Sequence, residues 1–348
     1  MRSTLFTIQF DVKLGNVPVF GEGWLLAVWG VLLVAWLWRS WRRDRFATVT
    51  VVSAIGWLAA GLAIHEVPRL LPQGLPLYGF GLMLFLGFVT ATWFGNYRLQ
   101  KHGYDGELAW DIAMWGFFAG IAGARLFYVV QYRDRYFIPG KSFGEVLRSL
   151  VMLPDGGLVF YGGLLAGAAG FFAVCWKRRV HPLAVADLIL PSLFTGMMFG
   201  RLGCLMHGCC YGDPSDLPWA ISFPAESVPW QVQVARGYIE ADAPRSLPLH
   251  PTQIYDSISG LLLMLLMLTY YPYRRRTGEV LALAWLTYPV SRFVVELLRG
   301  DELGQFGTTF TISQWVSVGM FASGLVYLVW LGRRTPAAAR VAQPVTAA

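Results

Sequence analysis

Apolar runs of 17 to 22 residues recur along this chain, and their length constrains its fold more than any other feature. A bilayer's hydrocarbon core is ~30 Å thick, and an α-helix crosses it in about 20 residues. Strands of an outer-membrane barrel would instead appear as alternating segments of about ten residues. Composition agrees with the helical reading: of 348 residues, 55% are hydrophobic and only 14% charged, whereas soluble domains carry roughly a quarter charged residues. Fifteen Trp, 23 Phe and 15 Tyr also exclude disorder, because disordered chains are poor in aromatics. The sequence therefore predicts an all-α polytopic membrane protein.

Nine candidate spans follow, at 20–38, 46–64, 76–94, 108–130, 157–175, 183–202, 254–271, 280–298 and 313–331. Residues 1–21 lack the basic-then-apolar order of a cleavable signal peptide, so the first span reads as a retained anchor. The net charge of +7 does not indicate nucleic acid, because the basic residues sit in short clusters at the ends of apolar runs. With loops assigned alternately to two sides, 15 of the 28 Lys and Arg gather on one side, including Arg39 to Arg45, Lys177 to Arg179, Arg274 to Arg276 and Arg333. The positive-inside rule makes that side cytoplasmic. The expected organisation is an extension with two spans (1–70), a seven-helix membrane domain (71–332) with an outward-facing loop region at 203–253, and a cytoplasmic tail (333–348).

Three arginines remain inside expected spans: Arg125, Arg201 and Arg292. Each costs at least ~2.5 kcal/mol at mid-bilayer on insertion scales, so an intramembrane arginine is by default a functional residue. The alternative is snorkelling to the interface, or a structural pairing with Asp187 or Glu296. Guanidinium also binds phosphate through a bidentate fork, and the phosphate available at that depth belongs to a phospholipid headgroup.

The segments around these arginines are rich in glycine and polar residues. Gly200-Arg201-Leu202-Gly203 leads through Cys204, His207, Gly208, Cys209, Cys210 and Tyr211 to Gly212, a stretch in which small residues let the backbone leave the helix. Pro154-Asp155-Gly156-Gly157 precedes Tyr161-Gly162-Gly163, and His250 to Asp256, containing Gln253, opens the seventh span. Tyr288, Arg292, Glu296 and Arg299 recur on one face of the eighth, where Arg292 and Glu296 are spaced for an ion pair.

These motifs, with Gly123-Ala124-Arg125 and Ser313-Gln314 with Ser317, resemble the prolipoprotein diacylglyceryl transferase family over roughly residues 76–331. The resemblance implies a bacterial inner-membrane enzyme without cofactor, its site towards the outer leaflet. It would move a diacylglyceryl group from phosphatidylglycerol to the lipobox cysteine of a prolipoprotein signal peptide and release glycerol phosphate. Arg201 and Arg292 are then the expected phosphate clamp, with Tyr161 and Tyr288 beside them in catalysis. Arg125, Gly162, Gly163, Gly208, His250, Gln253, Glu296 and Arg299 are expected to bind substrate. Two positions depart from the family pattern. Tyr161 stands where many members carry His, and a phenol with pKa near 10 is a poor base, so Tyr161 either orients substrate or leaves the proton to another group. Cys204 replaces a common Asn.

Cys204, Cys209 and Cys210 also permit an outer-face thiol redox function, or a disulfide from Cys204. Their spacing matches no closed zinc site of two separated ligand pairs, so no metal is assigned and the thiols read as small residues packing a turn. Without catalysis, the same arginines would suit a phospholipid-binding or transport paralogue, although no internal repeat is evident.

Overall fold

The computed structural model describes residues 4–8, 11–14, 17–42, 57–58, 60–62, 64–65, 75–136, 157–300 and 304–333. The chain divides into two units, residues 2–82 and residues 83–348. In the first, β1 (Thr4–Ile8) pairs antiparallel with β4 (Leu75–Tyr78), and β2 (Asp11–Leu14) with β3 (Val17–Gly21). These short pairs are additions that the expectation of an all-α chain did not contain. Helix α1 (Glu22–Arg42) takes the place of the first expected span, with its apolar stretch at Leu26–Trp36. Most of the second expected span, 46–64, lies outside the described residues, as do Pro154 to Gly156 and the tail beyond Arg333.

The second unit holds the bundle: α2 (Gly79–Lys101), α3 (Leu108–Gln131), α4 (Phe160–Lys177), α5 (Pro182–His207), a short α6 (Val228–Ala235), α7 (Thr252–Tyr270), α8 (Glu279–Glu296) and α9 (Ile312–Arg333). Among the described residues six helices are long and apolar enough to cross a membrane, against nine expected spans. Helix α8 falls short of that measure because its 18 residues include Glu279, Arg292 and Glu296. Helices α2, α3, α4, α5, α7 and α9 meet it, and their outward faces carry Trp93, Phe118, Leu126, Leu164 and Val326, each more than half exposed. A surface this apolar is stable in lipid and costly in water.

Backbone approach sets the α3–α4 contact. A Cβ added to Gly123 would collide with the Gly162 carbonyl and with Ala166, and one added to Gly162 with the Gly123 carbonyl and Phe127. Paired small residues of this kind let membrane helices touch where lipid provides no hydrophobic drive. Asp187 of α5, 1% exposed, accepts backbone N–H groups from Gly278 (2.7 Å) and Leu281 (3.0 Å) at the start of α8. Its carboxylate thus satisfies orphan donors at the positive end of the α8 dipole. The sequence-based alternative had paired Asp187 with an intramembrane arginine; capping a helix satisfies it instead. Leu99, Leu108, Val185, Met267 and Val280, all 1% exposed or less, pack in the same core.

The loop after α5 is a folded cap rather than an open connection. Tyr211, Phe223 and Leu249 form a small buried cluster with Leu205 and Ile221 against it. Gln233 of α6 accepts the Leu247 N–H (2.8 Å), and Ser246 Oγ the Phe223 N–H (2.9 Å). Asp213 N donates to Leu298 O (2.9 Å), which fastens the cap to the residues just after α8.

Candidate active site

Three helices bring charged side chains together, and α9 adds polar groups, at the end of the bundle where α5 stops and α7 begins. Asp256, in the second turn of α7, receives two guanidiniums on one oxygen: Arg201 Nη1 of α5 at 3.0 Å and Arg292 Nη1 of α8 at 3.5 Å from Oδ2. Arg292 Nη2 also reaches Glu296 Oε2 at 2.6 Å, one turn on, and donates to Ser313 Oγ of α9 at 3.2 Å. Arg299 Nη1 meets the same Glu296 oxygen at 3.3 Å, and Thr311 Oγ1 donates to Oε1 at 2.9 Å. Gln314 Oε1 accepts the Thr311 N–H (2.9 Å), fixing the start of α9.

This cluster carries three guanidiniums against two carboxylates. The carboxylate side chains are 5% and 0% exposed, whereas those of Arg201 and Arg292 keep 19% and 11%. An incoming anion therefore meets guanidinium before carboxylate, in surroundings where charge interactions are several times stronger than in water. The cluster thus keeps one positive charge in excess, which suits a singly charged anion.

The backbone that presents Arg201 differs from expectation. The α5 helix runs through Gly200 and Gly203 to His207, so Arg201 is held on regular helix, and the chain leaves it at Gly208. Gly208 has φ 82°, a left-handed value that a side chain would strain. The turn is tied to α7, because Thr252 Oγ1 donates to Cys210 O (2.6 Å) and Gln253 Nε2 to Cys209 O (2.8 Å). Gln253 and Gly208 thus hold the frame of the site. His250 joins the cap through its main chain, accepting from Gly212 N (3.0 Å) and donating to Asp213 O (3.0 Å). Its Nδ1 lies 3.4 Å from Tyr255 Oη, which accepts the Trp219 indole N–H at 2.7 Å.

Other expected residues stand apart from the cluster's ion pairs. Arg125, 8% exposed, donates to Gly157 O (3.1 Å) and lies 5.6 Å from the Tyr128 ring centre, joining α3 to the segment that starts α4. Gly162 and Gly163 face α3, where close helix approach explains them. Tyr161 packs edge-on to Phe160, and Tyr288, one turn before Arg292, lies against Phe194 of α5 in the core. The residue missing from the expected set is Asp256. Its signal was available: a carboxylate inside a span requires a cationic partner as much as an arginine requires an anion.

Fold and site together define a multi-span membrane protein with a buried guanidinium cluster built for an anionic group. The sequence profile of the prolipoprotein diacylglyceryl transferases matches residues 68–330, and the chain belongs to that family. It is 34% identical to a phosphatidylglycerol–prolipoprotein diacylglyceryl transferase of Clostridium tetani, over 72% of this chain and 92% of that one. A protein of the same name from Rhodopirellula baltica is 28% identical over 95% of this chain and 90% of its own. A third, from Clostridium perfringens, is 31% identical over 73% and 90%.

Proposed function

We propose that this protein transfers the diacylglyceryl group of phosphatidylglycerol to the lipobox cysteine of prolipoproteins, forming a thioether and releasing glycerol phosphate. The observation carrying this reading is the sharing of Asp256 by Arg201 and Arg292 beside the Arg292–Glu296–Arg299 relay. In the reaction the substrate sulfur attacks the glyceryl carbon, the C–S bond forms and the C–O bond to phosphate breaks. The thiol proton balances the second charge of the departing phosphate monoester. Negative charge grows on the phosphate oxygens, where preorganised donors in a site of low dielectric act most strongly.

Arg201 and Arg292 are assigned to that phosphate. Asp256 and Glu296 orient them, and Arg299 supplies the excess cation. Tyr161 positions substrate, since lowering a phenol pKa to neutrality needs a close cation and the arginines are engaged with carboxylates and phosphate. The active site faces the outer leaflet of the bacterial inner membrane and the C-terminus lies in the cytoplasm, in keeping with the basic-residue count. Purified protein given labelled phosphatidylglycerol and a lipobox peptide should yield a thioether-linked lipopeptide and glycerol phosphate. Binding of the lipid without product would favour a phospholipid-binding paralogue.

A further inference from the structure

The frame of the site contains three thiols that this reaction does not use. Cys204 lies in the last turn of α5, and Cys209 and Cys210 follow the Gly208 break; all three are free and half-buried. Their Sγ atoms lie within 4.8 Å of one another. We propose that Cys204, Cys209 and Cys210 form a three-sulfur binding site for a soft monovalent d10 ion, Cu(I).

The spacing in sequence argued against a metal because it offers no second ligand pair. The fold supplies closure instead, by bending the chain back at Gly208 so that Cys209 and Cys210 meet the helix that carries Cys204. Three sulfurs held in a plane at ~2.3 Å from an ion stand ~4.0 Å apart, so the observed cluster needs only a small contraction. The ligand set is all thiol, with no imidazole or carboxylate in it. Soft thiolates select Cu(I), and three of them suit a trigonal ion better than a tetrahedral Zn(II).

The cluster is also held in place. Cys210 has φ 57°, a left-handed conformation rarely taken by a residue with a side chain, and such a residue persists only when its surroundings fix it. The fixing bonds come from Thr252 and Gln253 onto the carbonyls of Cys210 and Cys209. On binding, the thiols release their protons to solvent, so affinity falls as pH falls.

The test uses the full chain in detergent, reduced and under anaerobic conditions, with Cu(I) offered as its bicinchoninate complex. The expected result is withdrawal of one Cu(I) per chain, with a sulfur-only shell by X-ray absorption. Cys204→Ser and Cys209→Ser should each weaken binding by ~10²-fold or more, a loss at least as large as removing a group that only supports a ligand produces. Cys175→Ser, at a thiol buried elsewhere in the core, should bind as the parent does. Binding unchanged in both serine variants, a shell of nitrogen or oxygen, or no withdrawal by the parent chain would each overturn the proposal. Loading should also inhibit lipid transfer, because an anionic thiolate complex would engage Arg201 and Arg299. That consequence rests on the proposed function, whereas the binding measurement does not.

Discussion

Replacing Glu296 by Gln should destabilise this protein far more than its single lost charge suggests. Glu296 is 2% exposed and accepts from three groups: Arg292 at 2.6 Å, Arg299 at 3.3 Å and Thr311 at 2.9 Å. Glutamine keeps the shape but presents at most one carbonyl, and its amide N–H₂ would point at a donor. Two guanidiniums would then share a buried space whose remaining carboxylate, Asp256, is already engaged by Arg201 and Arg292. Breaking a buried pair from one side costs about 3–5 kcal/mol. At 1.4 kcal/mol per decade that is about 10² to 4 × 10³-fold in the folding equilibrium. The assay is denaturant unfolding of the purified protein in detergent, with Asp105→Asn as control, since Asp105 pairs with Arg178 in solvent at 59% side-chain exposure. The control should leave the midpoint unmoved. A Glu296→Gln midpoint equally unmoved would refute the reasoning, by showing that water rather than carboxylate neutralises these arginines.

Three further outcomes follow from the same geometry. Tyr161→Phe should raise the phosphatidylglycerol requirement and leave most of the maximal rate, whereas a rate lower by about 10² to 10⁴ would make Tyr161 the general base. Gly123→Leu should disrupt the α3–α4 contact, read as a lower unfolding midpoint, while Gly116→Leu, where an added Cβ meets nothing within 4 Å, should be tolerated. The rate of Cys210 alkylation by iodoacetamide should fall less steeply than tenfold per pH unit between pH 8 and pH 6, because the charges of Arg299 and Arg201 beside it lower its pKa from the ordinary value near 8.5. A rate falling tenfold per pH unit over that range would show an ordinary thiol.

The membrane helices were legible because hydropathy and length are local properties. The expected span 108–130 is α3 to within one residue, and 313–331 falls inside α9. Arg201 and Arg292 stood out too, since an arginine inside an apolar run is conspicuous whatever surrounds it, and Glu296 and Arg299 followed from their spacing on the same helix face as Arg292. Asp256 is absent from the expected site residues because its importance lies in two partners, 55 positions before and 36 positions after it, which no local pattern joins. At Gly162 and Gly163 the structure adds a packing role against α3 that no local pattern shows, because a glycine pair looks the same in sequence whether it admits a ligand or a neighbouring helix. The break after α5 was expected at Gly203 and occurs at Gly208, because glycine inside an apolar helix is tolerated where a helix packs closely.

In the proposed function the guanidinium fork of Arg201, not merely its charge, acts on the leaving phosphate. Initial rates of lipopeptide formation for Arg201→Lys test it most directly. Lysine keeps the charge beside Asp256 but loses the planar pair of donors. The expected rate is about 10² to 10³-fold below the parent, the range found when one preorganised donor to a developing anion is removed. A rate within threefold of the parent at saturating lipid would contradict the account and leave Arg201 as a structural partner of Asp256.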